Sequence, residues 1–473
     1  SIDESLITGE SLPVSKTQGD QVIGGTINKQ GLITFKATKI GKDTVLSQII
    51  KMVEEAQSSK APIQRLADTV SAYFVPIVIL LAAITFLLWY FILQIPVSDP
   101  EQTLFSRALI NMTAVLVIAC PCAMGLATPT AVMVGSGRGA EMGILFRSAE
   151  SLEKAGRVDI LVFDKTGTIT KGQPTVIDIF VIGTRYGENE LLQMAASVEN
   201  GSEHVLGDAL LAEAGNRGLK LSPMTDFRAF PGMGVSAKID NRVIQIGNER
   251  FLKENNILNN VDKKLKKLLQ ENAQTGIYIA VDGELVGIFG IADQIKSESI
   301  ETVRALKAMG IQVVLLTGDN QATAEAIAYQ AGIDTVMADV LPMGKADAIK
   351  TLQNHGKNVT MVGDGVNDAP ALAQADIGIA VGTGTDVALS TAPITLLSSE
   401  LGKVVDAIKL SRKTLSTIKQ NLFWAFFYNI LAVPVAAVGI LNPMIAAASM
   451  ALSDVFVVAN SLRLRNKKIK MNK

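Results

Sequence analysis

The sequence predicts a multidomain protein that combines a doubly wound α/β domain, an inserted α+β domain, part of a β-rich domain and four transmembrane helices. Between residues 145 and 410, strand-type segments alternate with helix-type segments, which is the pattern of a parallel sheet covered by helices. Outside that region, four apolar runs are long enough to cross a bilayer. Of the 473 residues, 48% are hydrophobic, a share that favours a protein partly in lipid over a soluble enzyme.

Charge and cysteine content narrow the function classes. The chain carries 44 Lys and Arg against 45 Asp and Glu, so no basic surface for nucleic acid is expected. Its two cysteines, Cys120 and Cys122, are separated by one residue. So short a loop disfavours a structural disulfide, and we expect free thiols or ligands for a soft metal. The chain starts with Ser1 rather than Met, and we expect it to be the C-terminal portion of a longer protein.

The N-terminal stretch predicts a β-rich part followed by a helix. Residues 1–46 alternate short β-type runs with glycine turns, which indicates part of a small β-rich domain. The sequence Thr-Gly-Glu-Ser around Glu10 lies among these turns, and alone it is a weak signal of function. Residues 47–69 have helical composition with charged residues and predict a linker helix.

Four membrane-spanning helices are predicted within residues 47–143 and 411–473. The predicted spans are about residues 74–93, 108–134, 422–440 and 444–462. Basic residues flank the outer ends of the last two spans, whereas the short connectors between paired spans lack them. The positive-inside rule therefore puts residues 1–65, residues 135–415 and the basic tail in the cytoplasm.

The α/β region consists of residues 144–172 and 289–410, and residues 173–288 form an insertion with a different texture of short strands and helices. Strands are predicted at Ile160–Phe163, Val313–Leu316 and Val359–Val362, and helices at Ser297–Met309, Ala322–Ala331 and Lys345–Gln353. Open α/β sheets place their reactive groups at the carboxyl ends of the strands. The residues after each strand are therefore the candidate site.

Asp164 follows the first of these strands, in the sequence Asp164-Lys165-Thr166-Gly167-Thr168. A carboxylate can attack phosphorus as a covalent nucleophile, and an aspartyl-phosphate divides one difficult hydrolysis into two easier steps. Lys165 and the two threonines are suited to hold phosphoryl oxygens. The alternative is an ordinary strand exit with a surface acid, which explains a bare Asp-x-x-Gly well but a five-residue match poorly.

This five-residue sequence resembles the phosphorylation motif of the P-type ATPases, a branch of the haloacid-dehalogenase-like phosphotransferases. The resemblance extends over essentially the whole chain. It implies that residues 1–46 are part of an actuator domain, that residues 144–172 and 289–410 form the phosphorylation domain, and that residues 173–288 bind nucleotide. In that family the glutamate of the actuator loop, here Glu10, positions the water that hydrolyses the aspartyl-phosphate.

A second turn, Gly-Asp-Gly-Val-Asn-Asp at residues 363–368, supplies two carboxylates and an amide, which are hard oxygen ligands of the kind Mg²⁺ prefers. The resemblance implies that Asp364 binds Mg²⁺ together with Asp164 and the backbone carbonyl of Thr166. It implies that Asn367 and Asp368 complete this site.

A third turn, Thr317-Gly318-Asp319, matches the family's segment that holds the phosphoryl group, and Lys345 matches its charge-neutralising lysine. Any single turn of this kind could be a plain strand exit. Three of them in the family's order after three strands favour the phosphorylation site. One departure is that Leu-Pro-Met-Gly precedes Lys345, where the family usually has an acidic pair.

The insertion contains glycine pairs that allow a backbone to approach adenine or phosphate closely, although a lone Gly-x-Gly is usually a turn. The resemblance to the heavy-metal group of P-type ATPases implies an ATP pocket formed by Glu199, His204, Gly232, Gly234, Gly247 and Asn248. The family's His-Pro dipeptide is His204-Val205 in this chain.

The sequence Cys120-Pro121-Cys122 lies within an apolar run and is the main indication of the transported ion. Proline opens the helix, and two thiolates at lipid depth are costly without a cation. The alternative is two small buried residues beside a helix kink. In P-type ATPases this tripeptide marks the heavy-metal transporters, and thiolate and thioether ligands select soft ions such as Cu(I).

Residues of the last two spans refine this choice. Tyr428, Asn429 and Met450 match residues that the copper(I) group adds to its cysteines, and Asn429 and Met450 fall where zinc exporters carry a lysine and an aspartate. Asp454 departs from the copper group, which usually has serine there. An acid within a span is a functional hypothesis by default.

The sequence therefore predicts an ATP-driven exporter of Cu(I), with Ag(I) as a further ion, that works through an aspartyl-phosphate and needs ATP and Mg²⁺. We expect it in the lipid of a bacterial plasma membrane, supplied with copper(I) by a metallochaperone, and without nucleic acid as a partner. Three alternatives are a zinc or cadmium exporter with the same cycle, a soluble phosphatase of the same superfamily, and a metal sensor without catalysis.

Overall fold

A computed structural model describes residues 2–3, 15–29, 32–38, 40–93, 103–202, 205–230, 233–255, 257, 265, 268–269, 272–341, 344–364, 368–382 and 392–466. The chain divides into two compact units. The first comprises residues 1–158 and 376–473 and contains the membrane helices. The second comprises residues 159–375 and contains Asp164 and the insertion.

The helices of the described residues are α1 (Val45–Ser58), α2 (Pro62–Leu87), α3 (Leu104–Ile118), α4 (Cys122–Glu141), α5 (Ala149–Ala155), α6 (Glu188–Glu199), α7 (Val205–Asn216), α8 (Glu249–Glu254), α9 (Ser297–Ala308), α10 (Gln321–Ala331), α11 (Lys345–Gln353), α12 (Ala369–Gln374), α13 (Gly402–Ala437) and α14 (Pro443–Asn466). The strands are β1 (Ile2–Asp3), β2 (Ile27–Asn28), β3 (Ile144–Phe146), β4 (Ile160–Asp164), β5 (Thr170–Val181), β6 (Thr225–Phe230), β7 (Gly234–Ile239), β8 (Arg242–Gly247), β9 (Thr275–Val281), β10 (Glu284–Ile295), β11 (Gln312–Leu316), β12 (Thr335–Met337), β13 (Val359–Gly363), β14 (Ile377–Val381) and β15 (Ile394–Leu396).

The first unit contains the four predicted membrane spans, which are confirmed as four helical stretches long and apolar enough to cross a bilayer. The run predicted at 108–134 is not one continuous helix. It is divided into α3 and α4 because Pro121 has no N–H to donate and cannot continue the helix. The break leaves Cys120 before the start of α4 and Cys122 at its first residue.

The junction between α1 and α2 is held by α5. Pro62 occupies the first turn of α2, where a missing N–H costs nothing. Glu153 of α5 accepts a hydrogen bond from the Ile63 N–H at 2.9 Å, so a side chain from another helix caps α2. In return, Ser59 accepts a hydrogen bond from the Ala149 N–H of α5 at 2.7 Å.

A buried amide joins three of the membrane helices. Asn421 of α13 is fully buried, and its Nδ2 donates to the Ala127 carbonyl of α4 at 3.2 Å and to the Ser461 hydroxyl of α14 at 2.9 Å. Its Oδ1 accepts a hydrogen bond from Asn460 Nδ2 at 2.8 Å. Because polar groups within a bundle must find internal partners, this network fixes how α4, α13 and α14 pack together.

Outside the membrane helices, the described part of the first unit contains short strands. β1 pairs with β2 in antiparallel register, and β15 lies between β14, which is parallel to it, and β3, which is antiparallel. Residues 144–158 and 376–410 of the predicted phosphorylation domain, which include β3, β14 and β15, belong to the first unit.

The second unit is built on parallel strands in the order β12-β11-β4-β13. Each is an apolar run, because helices cover both faces of such a sheet. All five residues of β4 are buried. The doubly wound α/β domain predicted from the alternation of strands and helices is therefore present.

The insertion is a six-stranded antiparallel sheet in the order β5-β10-β9-β8-β7-β6, with a core that includes residues of α6 and α7. The chain enters along β5 and returns along β10, and these two 12-residue strands pair with each other. Asp293 of β10 ties their ends, since it accepts hydrogen bonds from the Thr170 hydroxyl at 2.5 Å and the Gly172 N–H at 2.9 Å.

Candidate functional site

Strand register brings the predicted phosphorylation residues to one edge of the parallel sheet. Asp164 is the last residue of β4, level with Leu316 at the end of β11, and Val362 of β13 is level with Phe163. The residues that follow β11 and β13 therefore begin beside Asp164. Asp164 itself is 5% exposed.

The turn after Asp164 is shaped by residues that the sequence analysis did not select. Gly167 has φ of 73°, a left-handed conformation that favours glycine. The Gly167 carbonyl accepts a hydrogen bond from Lys296 Nζ at 3.0 Å, and the Ile169 carbonyl accepts one from the Ser299 hydroxyl at 2.8 Å. No local motif marks Lys296 or Ser299, because they lie about 130 residues further along the chain.

Lys165 is directed toward the third turn. Its Nζ lies 2.7 Å from Asp319 Oδ2, in a pair that is only partly exposed. Thr317 is 2% exposed, and its hydroxyl accepts a hydrogen bond from the Asp319 N–H at 3.1 Å. The predicted Thr317-Gly318-Asp319 segment is thus folded as a tight turn beside Lys165.

Lys345 lies between two carboxylates. Its Nζ is 2.5 Å from Asp164 Oδ1 and 2.7 Å from Asp368 Oδ1. Burial, followed by repulsion from Asp368, raises the pKa of Asp164 from 3.8 to about 6, although Lys345 opposes the change. Burial disfavours the Lys345 ammonium, but attraction to Asp164 and Asp368 outweighs it and raises the pKa of Lys345. Burial also raises the pKa of Asp368.

The residues at this edge fit a divalent cation. The carboxylates of Asp364 and Asp368 repel that of Asp164, and Lys345 contacts Asp164 and Asp368. Asp368 Oδ2 is enclosed and has no hydrogen-bond partner in the described part of the chain. Within those residues, no three His, Cys, Asp or Glu side chains form a ready cage. Mg²⁺ takes much of its coordination from water and phosphate, so an incomplete protein site suits it.

A cavity of about 330 Å³ in the insertion contains four of the predicted nucleotide residues. Glu199, Gly234, Gly247 and Asn248 all line it. Apolar residues that the sequence did not single out complete the wall, and they include Leu206, Phe230, Met233 and Ile277. A largely apolar cleft with few polar groups is the usual form of a small-molecule site.

At two glycines of this cavity, the backbones of the paired strands lie too close to leave room for a Cβ. Gly234 of β7 pairs directly with Gly247 of β8, and a Cβ on Gly234 would lie 2.2 Å from the Ile246 carbonyl oxygen. A Cβ on Gly247 would lie 2.4 Å from the Met233 carbonyl oxygen. Asn248 accepts a hydrogen bond from the Phe251 N–H at 2.9 Å and so caps α8. Strand pairing and helix capping therefore constrain Gly234, Gly247 and Asn248 whether or not they bind nucleotide.

The predicted ion ligands of the membrane helices lie near the break between α3 and α4. Asn429 Nδ2 of α13 donates to the Cys120 carbonyl at 3.4 Å. Tyr428 and Met450 pack against one cluster of buried residues, to which Ile118 and Ala119 of this break belong. The predicted ion ligands Tyr428 and Asn429 of α13 and Met450 of α14 thus lie near the break between α3 and α4.

The expectation of free thiols is wrong for this structure, because Cys120 and Cys122 are joined in a disulfide. Their Cα atoms are 5.5 Å apart, within the range that a disulfide bridges. The helix break at Pro121 permits this approach, which the loop-length argument overlooked. A disulfide sulfur is not a thiolate, so the pair needs reduction before it can bind a soft cation in the expected way.

Four predicted site residues, Glu10, His204, Gly232 and Asn367, lie outside the described residues. Their roles stay predictions.

Family models match two parts of the chain. Residues 158–376 match the haloacid dehalogenase-like hydrolase model, and residues 1–54 match the P-type ATPase actuator domain model.

Full-length relatives and solved structures match nearly the whole chain. A copper-exporting P-type ATPase of Staphylococcus saprophyticus is 51% identical over 469 residues, which are 99% of this chain and 57% of that protein. A copper-exporting P-type ATPase of Bacillus subtilis is 50% identical, with 99% and 57% covered. The chain thus spans less than two thirds of the length of these relatives. The crystal structure of a zinc-transporting PIB-type ATPase in the E2·Pi state is 34% identical with a TM-score of 0.74, covering 98% of this chain and 74% of that one.

Proposed function

The chain belongs to the P-type ATPases, and from this premise we propose that the protein of which it is part exports copper(I) across a membrane, driven by ATP through an aspartyl-phosphate on Asp164. The observation that carries the proposal is the identity of about half of all residues, over 99% of the chain, with proteins named copper-exporting P-type ATPases. The four membrane helices agree with a transporter.

In the first chemical step, a carboxylate oxygen of Asp164 attacks the γ-phosphorus of ATP. A new P–O bond forms, the bond between the γ-phosphorus and the bridging oxygen breaks, and ADP leaves with that electron pair. In the second step, water attacks the phosphorus of the acyl phosphate. This releases inorganic phosphate and restores the carboxylate, and Glu10 is proposed to orient the water and accept its proton.

The buried cluster prepares Asp164 for attack. Only the deprotonated carboxylate is a nucleophile, yet burial favours the protonated form. Lys345 counters this through its direct contact with Asp164 and offers a positive charge where phosphoryl oxygens arrive. When bound, Mg²⁺ would neutralise phosphate charge. Asp164, Asp364, the Thr166 carbonyl and Asp368 with Asn367 are the groups proposed to hold it.

The other predicted residues have supporting roles in this scheme. Thr317 and Gly318 are proposed to bind phosphoryl oxygens, while the Lys165 and Asp319 pair keeps their turn against the reacting aspartate. The cavity that Glu199, Gly234, Gly247 and Asn248 line is proposed to bind the adenine end of ATP, together with His204 and Gly232.

The copper(I) path is proposed to run past the two cysteines after their reduction. Thiolates select soft ions, and the thioether of Met450 with the side chains of Tyr428 and Asn429 adds neutral donors. Delivery by a metallochaperone and contact with membrane lipid belong to the same proposal. A zinc exporter is the second candidate, because a solved zinc-transporting relative shares 34% of residues, but the identity to copper exporters is higher.

The proposal is tested on the full-length protein in detergent with reductant present. We expect Cu(I) and Ag(I) to stimulate ATP hydrolysis and labelled ATP to form an acid-stable phosphoenzyme, which Asp164→Asn abolishes. Stimulation by Zn²⁺ without stimulation by Cu(I) would favour the zinc exporter. The absence of a phosphoenzyme in the parent protein would leave only a sensor or a structural role.

A further inference from the structure

The segment that follows the insertion runs beside the turn at residues 165–169, which follows the proposed nucleophile. In the antiparallel pair of β5 and β10, Ile295 at the end of β10 is level with Thr170 at the start of β5. The next residue, Lys296, therefore lies beside Ile169, and its N–H donates to the Ile169 carbonyl at 3.0 Å. Strand pairing within the insertion thus brings this segment against the turn, although about 130 residues separate the two in the chain.

Two carbonyls of the 165–169 turn are held by side chains of this segment. The Ile169 carbonyl accepts a hydrogen bond from the Ser299 hydroxyl at 2.8 Å, and the Gly167 carbonyl accepts one from Lys296 Nζ at 3.0 Å. Ser299 is fully buried and neutral, whereas the donor to Gly167 is a half-buried ammonium. Burial lowers the pKa of Lys296, although two neighbouring carboxylates oppose the change. A cation is thus placed, at a cost in desolvation, where a neutral donor would also hold a carbonyl.

The position of Gly167 explains why a charged donor is used there. A Cβ built on Gly167 would lie 4.0 Å from Asp364 Oδ2, so the Cα of this glycine faces one of the proposed Mg²⁺ ligands. The Thr166 carbonyl, another proposed ligand, belongs to the preceding peptide unit. Glycine has no side chain to restrict its own backbone, so a donor from elsewhere is needed to fix the direction of its carbonyl. Lys296 supplies that donor beside the acidic residues of the site.

We propose that Lys296 is a positioning residue for phosphoryl transfer, which holds this turn so that the Thr166 carbonyl and Asp364 can bind the same Mg²⁺. This inference rests on the proposed function, since it concerns the same reaction. Peptide units are rigid planes, so fixing the Gly167 carbonyl restricts how far the adjoining Thr166 carbonyl can turn away from Asp364. A small displacement of groups around a reacting centre is enough to slow a reaction strongly.

The test compares the reduced full-length protein with Lys296→Met, which keeps the length of the side chain but removes its charge. We expect the rate of phosphoenzyme formation at saturating ATP to fall about 10- to 100-fold and the Mg²⁺ concentration for half-maximal rate to rise about threefold or more. The rise in melting temperature that Mg²⁺ causes in the parent should become smaller. Lys296→Arg, which keeps the charge, should recover most of the rate.

Binding of a non-hydrolysable ATP analogue shows whether the effect is confined to the phosphorylation site. Lys296 does not line the cavity that is proposed to bind adenine, so Lys296→Met should change the affinity for the analogue by less than about twofold. A loss of analogue affinity that accounts for the whole loss of rate would overturn the inference, because Lys296 would then act on nucleotide binding.

Two further variants separate positioning from packing. Lys307→Met makes the same substitution at the other end of α9, at a lysine that lies 2.5 Å from the exposed Asp334, and should behave like the parent. Ser299→Ala removes the neutral hydrogen bond to Ile169 and should lower the melting temperature while the Mg²⁺ dependence changes less than about twofold. If Ser299→Ala shifts the Mg²⁺ dependence as much as Lys296→Met does, Lys296 only maintains packing and the inference is wrong.

Hydrolysis of p-nitrophenyl phosphate distinguishes failure of this inference from failure of the proposed function. This small ester needs no nucleotide site, and Lys296→Met should slow its Mg²⁺-dependent hydrolysis as well. If Lys296→Met slows hydrolysis of the ester but Cu(I) and Ag(I) do not stimulate ATP hydrolysis in the parent, copper export fails and the role of Lys296 stands. If Cu(I) stimulates the parent and Lys296→Met equally, and their Mg²⁺ dependence is the same, the inference fails and the proposed function stands.

Discussion

Lys345 Nζ lies 2.5 Å from Asp164 Oδ1, so the residue proposed to accept phosphate is already in contact with a buried cation. The same ammonium contacts Asp368 at 2.7 Å. One lysine therefore compensates two carboxylates that would otherwise repel each other in a poorly solvated place.

Lys345→Met is expected to slow phosphoenzyme formation by about 10²–10³-fold, because it removes a charge that stabilises the transferring group. It also leaves two buried carboxylates without their cation, which should lower the thermal midpoint of unfolding. Quenched-flow labelling with ATP measures the rate. Lys350→Met, at an exposed position of the same helix α11, is the matched control and should behave like the parent. Equal rates in both variants would remove Lys345 from the proposed mechanism.

Asp164→Asn is expected to stabilise the protein at neutral pH when Mg²⁺ is absent. The pKa of Asp164 is raised from 3.8 to about 6 by burial and by Asp368. Between pH 4 and pH 6 Asp164 keeps its proton in the folded state but has lost it in the unfolded state. The contribution of Asp164 to the free energy of unfolding is therefore full below pH 4 and is lost as the pH rises through 6. Asparagine does not ionise, so the Asp164→Asn variant should be more stable than the parent by about 1–3 kcal/mol at pH 7.5.

Scanning calorimetry of both proteins at pH 5 and pH 7.5 checks this prediction. The difference in melting temperature should narrow toward pH 5, where the parent carboxyl is largely protonated. Mg²⁺ should also narrow it at pH 7.5, because a divalent cation favours the charged parent. If Asp164→Asn melts below the parent under all conditions, ionisation of Asp164 does not destabilise the folded protein and the prediction is wrong.

Gly234→Ala is expected to destabilise the inserted domain and not only to weaken nucleotide binding. The added Cβ would lie 2.2 Å from a backbone oxygen of the paired strand, which cannot move away without disturbing the sheet. We expect a loss of about 1–3 kcal/mol, measured by thermal unfolding without ATP. Gly215→Ala is the contrasting variant. Gly215 lies in α7 with open space around it, so alanine there should stabilise by about 0.5–1 kcal/mol. A fully stable Gly234→Ala with weakened ATP binding would indicate that the close approach serves the ligand alone.

Glu153→Ala is expected to destabilise the junction of α1 and α2. Glu153 is 3% exposed, caps the Ile63 N–H and pairs with Arg157 at 2.6 Å. Loss of a buried carboxylate cap with its ion pair should cost about 1–3 kcal/mol. Glu150→Ala removes a half-exposed carboxylate of the same helix, which pairs with Lys154 at 3.0 Å and lies 3.8 Å from Arg65, and should cost less than about 0.5 kcal/mol. Similar melting temperatures for the two variants would refute the cap.

The elements of the α/β domain could be predicted because their signals are local. The helix predicted at Lys345–Gln353 is found with those bounds, and the strand predicted at Ile160–Phe163 extends by one residue to include Asp164. Runs of apolar, β-branched residues that end at an acid identify a buried strand and its reactive end without reference to the rest of the fold.

Contacts between distant segments could not be predicted in the same way. The sequence alone does not join Lys296 to the Gly167 carbonyl, or Gly234 to Gly247, because each pair depends on the register of strands far apart in the chain. The contact of Lys345 with Asp164 could be anticipated only through the family resemblance. The cysteine pair was misjudged because the helix break at Pro121 allows an approach that loop length alone does not indicate.

The pairing of β5 with β10 means that the inserted sheet is attached by a single two-stranded ribbon rather than by two separate tethers. Asp293 lies near the end of this ribbon, where it accepts hydrogen bonds from the Thr170 hydroxyl and the Gly172 N–H. The two ends of the insertion therefore cannot separate without breaking the hydrogen bonds between β5 and β10.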